Sequence, residues 1–169
     1  MNRLTLTGTV LSILLLASPS GQAAPRIAIL SFELNDITSL PHTPQEQVRT
    51  ASIRPLLEQA LSRAGDYEII RIDANDQAAA NSGFGYLFRF HELAAKLGEQ
   101  FGADWVIVGQ HSKPSFLFSY LLANVIQVKN SSLVASYAIE LKGSHEKVTQ
   151  RGVNSLADKI QASLDQSAQ

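Results

Sequence analysis

Apolar residues repeat along this chain with two periods, and the order in which the two alternate sets its architecture. In residues 26–34, RIAILSFEL, both alternating sets are largely apolar, the pattern of a strand covered on both faces. Asn35 to Pro41 then brings turn formers. Thr43-Pro44-Gln45-Glu46 gives a helix start with three agreeing parts: a capping hydroxyl, proline in the first turn and a glutamate three residues after the cap. Ile53, Leu56, Leu57, Ala60, Leu61 and Ala64 follow at helical spacing and line one face. Pro55 falls inside that stripe and predicts a kink near Arg54, and Gly65 closes the helix where a left-handed backbone costs least.

Residues 67–72, YEIIRI, read as a second short strand, and 73–85 as a polar, glycine-bearing loop. Helical spacing resumes in Phe90, Leu93, Ala94, Leu97 and Phe101, and residues 105–110 give a third, buried strand. Strand, helix, strand, helix, strand in this order predicts parallel pairing through right-handed crossovers. The next connection, 111–115, is too short for a crossover, so residues 118–128 should return antiparallel. Lys129 to Ser132 is the following turn. Leu133, Ala135, Tyr137, Ile139 and Leu141 alternate on the way back, and Val153, Leu156, Ala157, Ile160 and Leu164 form a last amphipathic helix before a tail, 165–169, expected to fray. The expected fold is α/β: three layers, a five-stranded mixed sheet of order 2-1-3-4-5 ending in a hairpin, and helices on both faces.

The amino terminus stands apart from this pattern. Arg3 precedes an uncharged run from Leu4 to Ala17, and small residues Gly21 and Ala23 follow a break at Ser18-Pro19-Ser20, the layout of a cleavable export signal cut after Ala23. A transmembrane anchor needs about 20 apolar residues, and this run is shorter. Residues 24–169 are one domain in length. The whole chain has a formal charge of −1, which gives no basic face for phosphate counterion release and excludes a non-specific nucleic-acid binder. Cysteine is absent, so thiol catalysis, thiolate metal sites and a cysteine-linked lipid anchor are excluded, and the core must hold the fold without disulfides. Periplasmic residence follows for a Gram-negative source.

Four stretches together carry a resemblance: RIAILSFE, LLEQALSRAGDYEII, FGADWVIVGQ and VIQVKNSSLVASY. They are similar to the amino-terminal domain of TolB and to CsgG-like periplasmic domains. More closely, the chain resembles an uncharacterised family of predicted secreted proteins with the same layout. The resemblance spans roughly 26–164 as a pattern of elements, with GADWVIVG its locally specific segment. It implies the α/β fold above, binding of proteins or envelope components, and no catalytic residue to carry over.

Among candidate sites, His111, Lys113 and Ser115 follow the third strand at its carboxyl end, where open α/β sheets place ligands. Lys113 would meet an anionic group and His111 would supply a hydrogen bond, with a plain polar connection as the competing reading. Lys113→Ala is expected to leave thermal stability nearly unchanged, and a large loss would make the turn structural and remove it as a site. Asp36 could face the same edge or bond its own backbone in an Asx-turn. Phe118 and Tyr120, with Phe116, would form a partner surface if one side of the hairpin is uncovered. Phe84, Tyr86, Phe88 and Phe90 would do the same if extended, whereas helical geometry would scatter them and send Phe90 to the core.

Chemistry is poorly supported. No Gly-x-Ser-x-Gly elbow occurs. His42, His91, His111 and His145 lack a ligand spacing, and Gly83-Phe84-Gly85 lacks the strand-to-helix setting of a phosphate cradle. The expectation is a non-enzymatic, exported periplasmic module for protein recognition or envelope assembly, with no cofactor, no metal, an envelope or periplasmic protein as partner and no membrane span after cleavage. A small-molecule-binding accessory protein using Asp36, His111 and Lys113 is the alternative, and a hydrolase a weaker third reading.

Overall fold

A computed structural model describes residues 23–38, 43–143 and 146–167; the segment expected to be an export signal, up to Gln22, and His42 and His145 lie outside them. Strands are β1 (Arg26–Ile29), β2 (Glu33–Asp36), β3 (Glu68–Ile70), β4 (Trp105–Lys113), β5 (Phe118–Gln127) and β6 (Ser132–Lys142). Helices are α1 (Pro44–Ala64), α2 (Ala74–Ala80), α3 (Tyr86–Arg89), α4 (His91–Gln100) and α5 (Glu146–Ser167). The sheet runs β3-β1-β4-β5-β6, with β2 also beside β4. β1 is parallel to β3 and β4, and β4, β5 and β6 are successively antiparallel. This is the predicted 2-1-3-4-5 order, with the segments from Arg26 and from Trp105 side by side and running the same way.

The first predicted strand is divided in two. Ile29 pairs with Ile107 and Glu33 with Gln110, so β1–β2 carries one residue more than β4 across the same interval, a bulge. Gly109 lies beneath it, and a Cβ there would collide with the Phe32 ring. Ser31 leaves the ladder at the bulge, and Gln77 takes over: its Oε1 accepts from the Ser31 amide at 2.8 Å and its Nε2 donates to the Ser31 carbonyl at 3.0 Å. Gln77 sits on α2, a helix in what the sequence gives as loop 73–85; Asp73 caps it by accepting from the Asn75 amide at 2.7 Å.

Other expectations also shift. Pro55, where a kink is expected, does not end α1, which runs through it for 21 residues with Ile53, Leu57 and Leu61 fully buried on one face. Gly65 is extended, not left-handed; the Tyr67 ring lies where a side chain would go. α5 continues to Ser167 where fraying was expected. Phe90 is exposed and Leu87 is buried in its place, because the four-residue α3 turns the chain just before α4.

Two apolar clusters sandwich the sheet. On one face Ile29, Ile107, Leu121, Val125, Ile139 and Leu141 meet α1 and α5. On the other Ala28, Leu30, Val106, Val108 and Ile126 meet Leu87, Ala94 and Leu97. Gly98 and Gly152 let α4 and α5 approach, since a Cβ at either would strike Val106 or Leu141. No helix among the described residues is long and apolar enough to cross a membrane.

Candidate functional site

β4 continues three residues past its predicted end because it has partners on both sides there. Asn35 and Asp36 pair with Ser112 and Lys113, while Leu121 and Tyr120 pair with His111 and Ser112. His111 and Lys113 therefore belong to the strand, and the connection shrinks to 114–117.

His111 is fully buried. The Thr50 hydroxyl gives its proton to the Glu46 carbonyl at 2.8 Å, so it accepts from His111 Nδ1 at 2.8 Å, and Nε2 accepts from the Ser119 hydroxyl at 2.9 Å. Both ring nitrogens are thus engaged within the fold. Burial, with the charges of Arg49 and Lys113, pushes the imidazole pKa down to about 4 against a smaller opposing effect of Asp36. The ring is neutral near pH 7.

Lys113 bridges two carboxylates, Asp36 Oδ2 at 3.3 Å and Glu46 Oε1 at 3.6 Å. Asp36 Oδ1 also accepts from the amide and hydroxyl of Thr38 at 3.0 and 2.6 Å, an Asx-turn. Burial raises the Asp36 pKa, but the Thr38 hydrogen bonds and Lys113 together outweigh it and leave the carboxyl below its ordinary value. Arg49 lies 3.8 Å from Glu46 and donates to the Thr149 hydroxyl at 2.9 Å and the Gly143 carbonyl at 3.1 Å. The sheet end is thereby tied to α1 and α5. The cavity beside these groups measures about 20 Å³, the size of a single water and too small for an organic ligand.

Ser115 organises the turn, its hydroxyl accepting from the amides of Leu117 and Phe118 at 3.2 and 3.3 Å. Phe116 and Leu117 project from it, 60% and 79% exposed. Ser119 and Leu121 face α1 and α5, so Phe118 and Tyr120 point to the opposite side of β5, half-buried and packed edge to face with ring centroids 5.8 Å apart. Phe84, Tyr86, Phe88 and Phe90 do not form one extended surface, because α3 intervenes; Tyr86 and Phe90 stack 4.9 Å apart while Phe84 stands exposed. Among the described residues no group of three His, Asp or Glu side chains is placed to hold a metal ion.

The structure thus joins Asp36, His111, Lys113 and Ser115 to Glu46, Arg49, Thr50 and Thr149, which the sequence reading did not single out. A signal existed: Glu46 and Thr50 precede Ile53, Leu57 and Leu61 at three- and four-residue spacing, so the buried stripe of α1 begins with polar residues. Farther out, α1 and α5 border an open groove of about 550 Å³ lined by Pro44, Val48, Arg49, Leu56, Glu146 and Thr149.

Residues 25–160 match the model of the family described as "Protein of unknown function (DUF2380)". The chain belongs to this family. No curated protein matches it. Among solved structures, the chain shares its fold with PelC from Paraburkholderia phytofirmans, solved as a dodecamer, at TM-score 0.54 and 15% identity, covering 83% of this chain and 87% of that one. TolB from Acinetobacter baumannii aligns at TM-score 0.53 and 17% identity over 85% of this chain but 29% of its own, so the likeness lies in one part of TolB. The lipoprotein GNA1162 from Neisseria meningitidis gives TM-score 0.50 and 14% identity over 80% and 95%. At these identities the likeness is one of fold.

Proposed function

We propose that this DUF2380 protein is an exported, non-enzymatic module of the cell envelope that works by recognising another protein. The 114–117 turn carries the reading. Two large apolar side chains, Phe116 and Leu117, stand in solvent on a four-residue connection whose base is fixed by Ser115 and by the buried Lys113 and His111 networks. Holding apolar groups rigidly in water has a use when a partner covers them, because little conformational entropy is then lost on binding. His111 and Lys113 support this turn from beneath, and Phe118 and Tyr120 extend its apolar surface. The fold it shares with a dodecameric protein and a lipoprotein suits an assembly role.

The test is a photoreactive amino acid placed at Leu117 in cells that export the chain, with Asn130, an exposed turn residue at the opposite end of the hairpin, as control. A discrete adduct from position 117 alone, lost in Phe116→Ser, is expected. Identical adducts from both positions, or none, would overturn the reading. The α1–α5 groove favours a second function, a small-molecule-binding accessory protein, since its volume is that of a ligand site; ligand-induced shifts of Val48 and Leu56 methyl resonances, with the turn unaffected, would support it instead.

A further inference from the structure

We propose that the outer edge of β6 accepts an extended segment of a partner protein as an added strand, a site distinct from the 114–117 turn but resting on the protein-recognition reading above. β6 ends the sheet and pairs only with β5 among the described residues. The opposite end is closed by the three residues of β3, so β6 presents the long edge. Its bulge lies near the start, where Val125 faces Ala135 and Ile126 faces Leu133, leaving Val134 as the extra residue. From Ala135 to Lys142 the register is continuous, proline is absent, and one row of main-chain donors and acceptors is turned away from β5. Edges are protected by shortness, bulges, proline, a covering element or charged side chains. Here the charges, Glu140 and Lys142, come at the end of the stretch, and 135–139 is uncharged, regular and free of proline.

The partner's chemistry follows from what borders that edge. Between β6 and α5 runs an open groove of about 360 Å³ lined by Ile139, Val148, Gly152 and the cation Arg151; Glu140 and Lys142 border it from the strand, their side chains alternating to the opposite face. Side chains of an added strand alternate between faces, so every second one would enter this groove and the others would lie beside Ser136, Ala138, Glu140 and Lys142 on the open face. Ile139 and Val148 call for an apolar residue. On the groove side the exposed Arg151 calls for an acidic residue next to it, while Lys142 and Glu140 form a loose 3.7 Å pair on the other face. The occupant is thus an extended peptide with an apolar residue at alternate positions and an acidic flank.

The experiment selects binders from random twelve-residue peptides displayed on phage against the exported chain, then titrates the enriched peptide into nitrogen-15-labelled protein. Expected are alternating β-branched or aromatic residues with an acidic neighbour, at least tenfold slower amide exchange along 135–142, and affinity at least fivefold weaker in Arg151→Glu, whose exposed side chain is not part of the core. Ala138→Pro should abolish binding; because it could also weaken the sheet, mapping on the wild-type chain decides. No enriched peptide, shifts confined to the α1–α5 groove, or protection of 135–142 that appears with protein concentration alone, as in pairing with a second copy, would overturn the proposal. Shifts confined to 114–117 would overturn it while leaving the protein-recognition reading intact, whereas protection along 135–142 without any Leu117 crosslink would support it and strike only the 114–117 turn as the recognition surface.

Discussion

At the level of single residues, the polar end of the sheet pairs its charges from within but leaves Glu46 Oε2 buried without a hydrogen-bond partner among the described residues. Lys113 is the plainest case. As a connecting residue it could be removed with little effect, but its side chain is largely buried against Asp36 and Glu46, and deletion takes a cation from both carboxylates, leaving Glu46 with Arg49 at 3.8 Å. Lys113→Ala should therefore cost about 2 kcal/mol, below the full penalty for a buried pair because the amine keeps some solvent, or a fall in Tm of roughly 5 °C by thermal unfolding. An unchanged Tm would return the residue to the status of a free surface cation. His111 makes a separate pH prediction. Its folded pKa of about 4 lies below the ordinary 6.5, so the unfolded chain binds the proton more readily; the contribution is fully present above pH 6.5 and is lost as pH falls to 4, amounting to roughly 3 kcal/mol. Denaturant unfolding at pH 7, 5.5 and 4 should show this slope, and His111→Gln should flatten it. Asp36 also has a lowered pKa, but its loss begins only as the medium becomes acidic enough to protonate carboxylates, so the two windows separate.

Among elements, those with a sustained period were legible before any coordinate, and those made by a tertiary bond were not. The middle of the α4 and β6 stripes and the buried face of α5 follow their repeats because burial on one side demands them. Phe90, Phe101 and Leu133 at the stripe ends are exposed, and β5 buries Leu121, Ala123 and Val125 more deeply than the face of Phe118, Tyr120 and Leu122. The division of the first strand could not be read: Leu30, Ser31 and Phe32 continue the apolar alternation, and what ends the ladder is Gln77, 46 residues away in a segment rich in alanine and asparagine. Such a side chain stands in for a strand neighbour, bonding the Ser31 amide and carbonyl together. Gln77→Ala should leave both unpaired in a largely buried place and cost about 2 kcal/mol, with amide exchange at Ser31 accelerating well before global unfolding. If Ser31 remains as protected as Ile29, the bulge is held by Phe32 over Gly109 alone. The site was half legible for a similar reason. Asp36, His111, Lys113 and Ser115 were marked by position, whereas Glu46, Arg49 and Thr149 reach them from helices whose sequence reveals a buried face but not which strand end it meets.

For the whole molecule, strand order followed from connection length alone: two long crossovers force parallel neighbours and two short turns force antiparallel ones. Connection length leaves open how the two faces share the burden of stability. α1 and α5 run in the same direction, Arg49 meeting Thr149 at one end and Ala64 meeting Gln161 at the other, and between them they cover Leu121, Val125, Ile139 and Leu141. The helices on the opposite face are shorter and leave Phe118, Tyr120 and Leu122 only half-buried. The α1–α5 layer should accordingly be the one without which the sheet does not persist. A chain ended at Gly143 loses the burial of Val153, Leu156, Ile160 and Leu164, at about 1.5–3 kcal/mol for each large side chain, a total comparable with the entire stability of an ordinary domain. It should show no cooperative thermal transition, bind ANS, and shift Trp105 emission to longer wavelength, since Trp105 is buried in the same cluster. A cooperative transition with unshifted Trp105 emission would mean that α1 and the sheet stand without α5, and that the helices of the other face carry more of the fold than their length suggests.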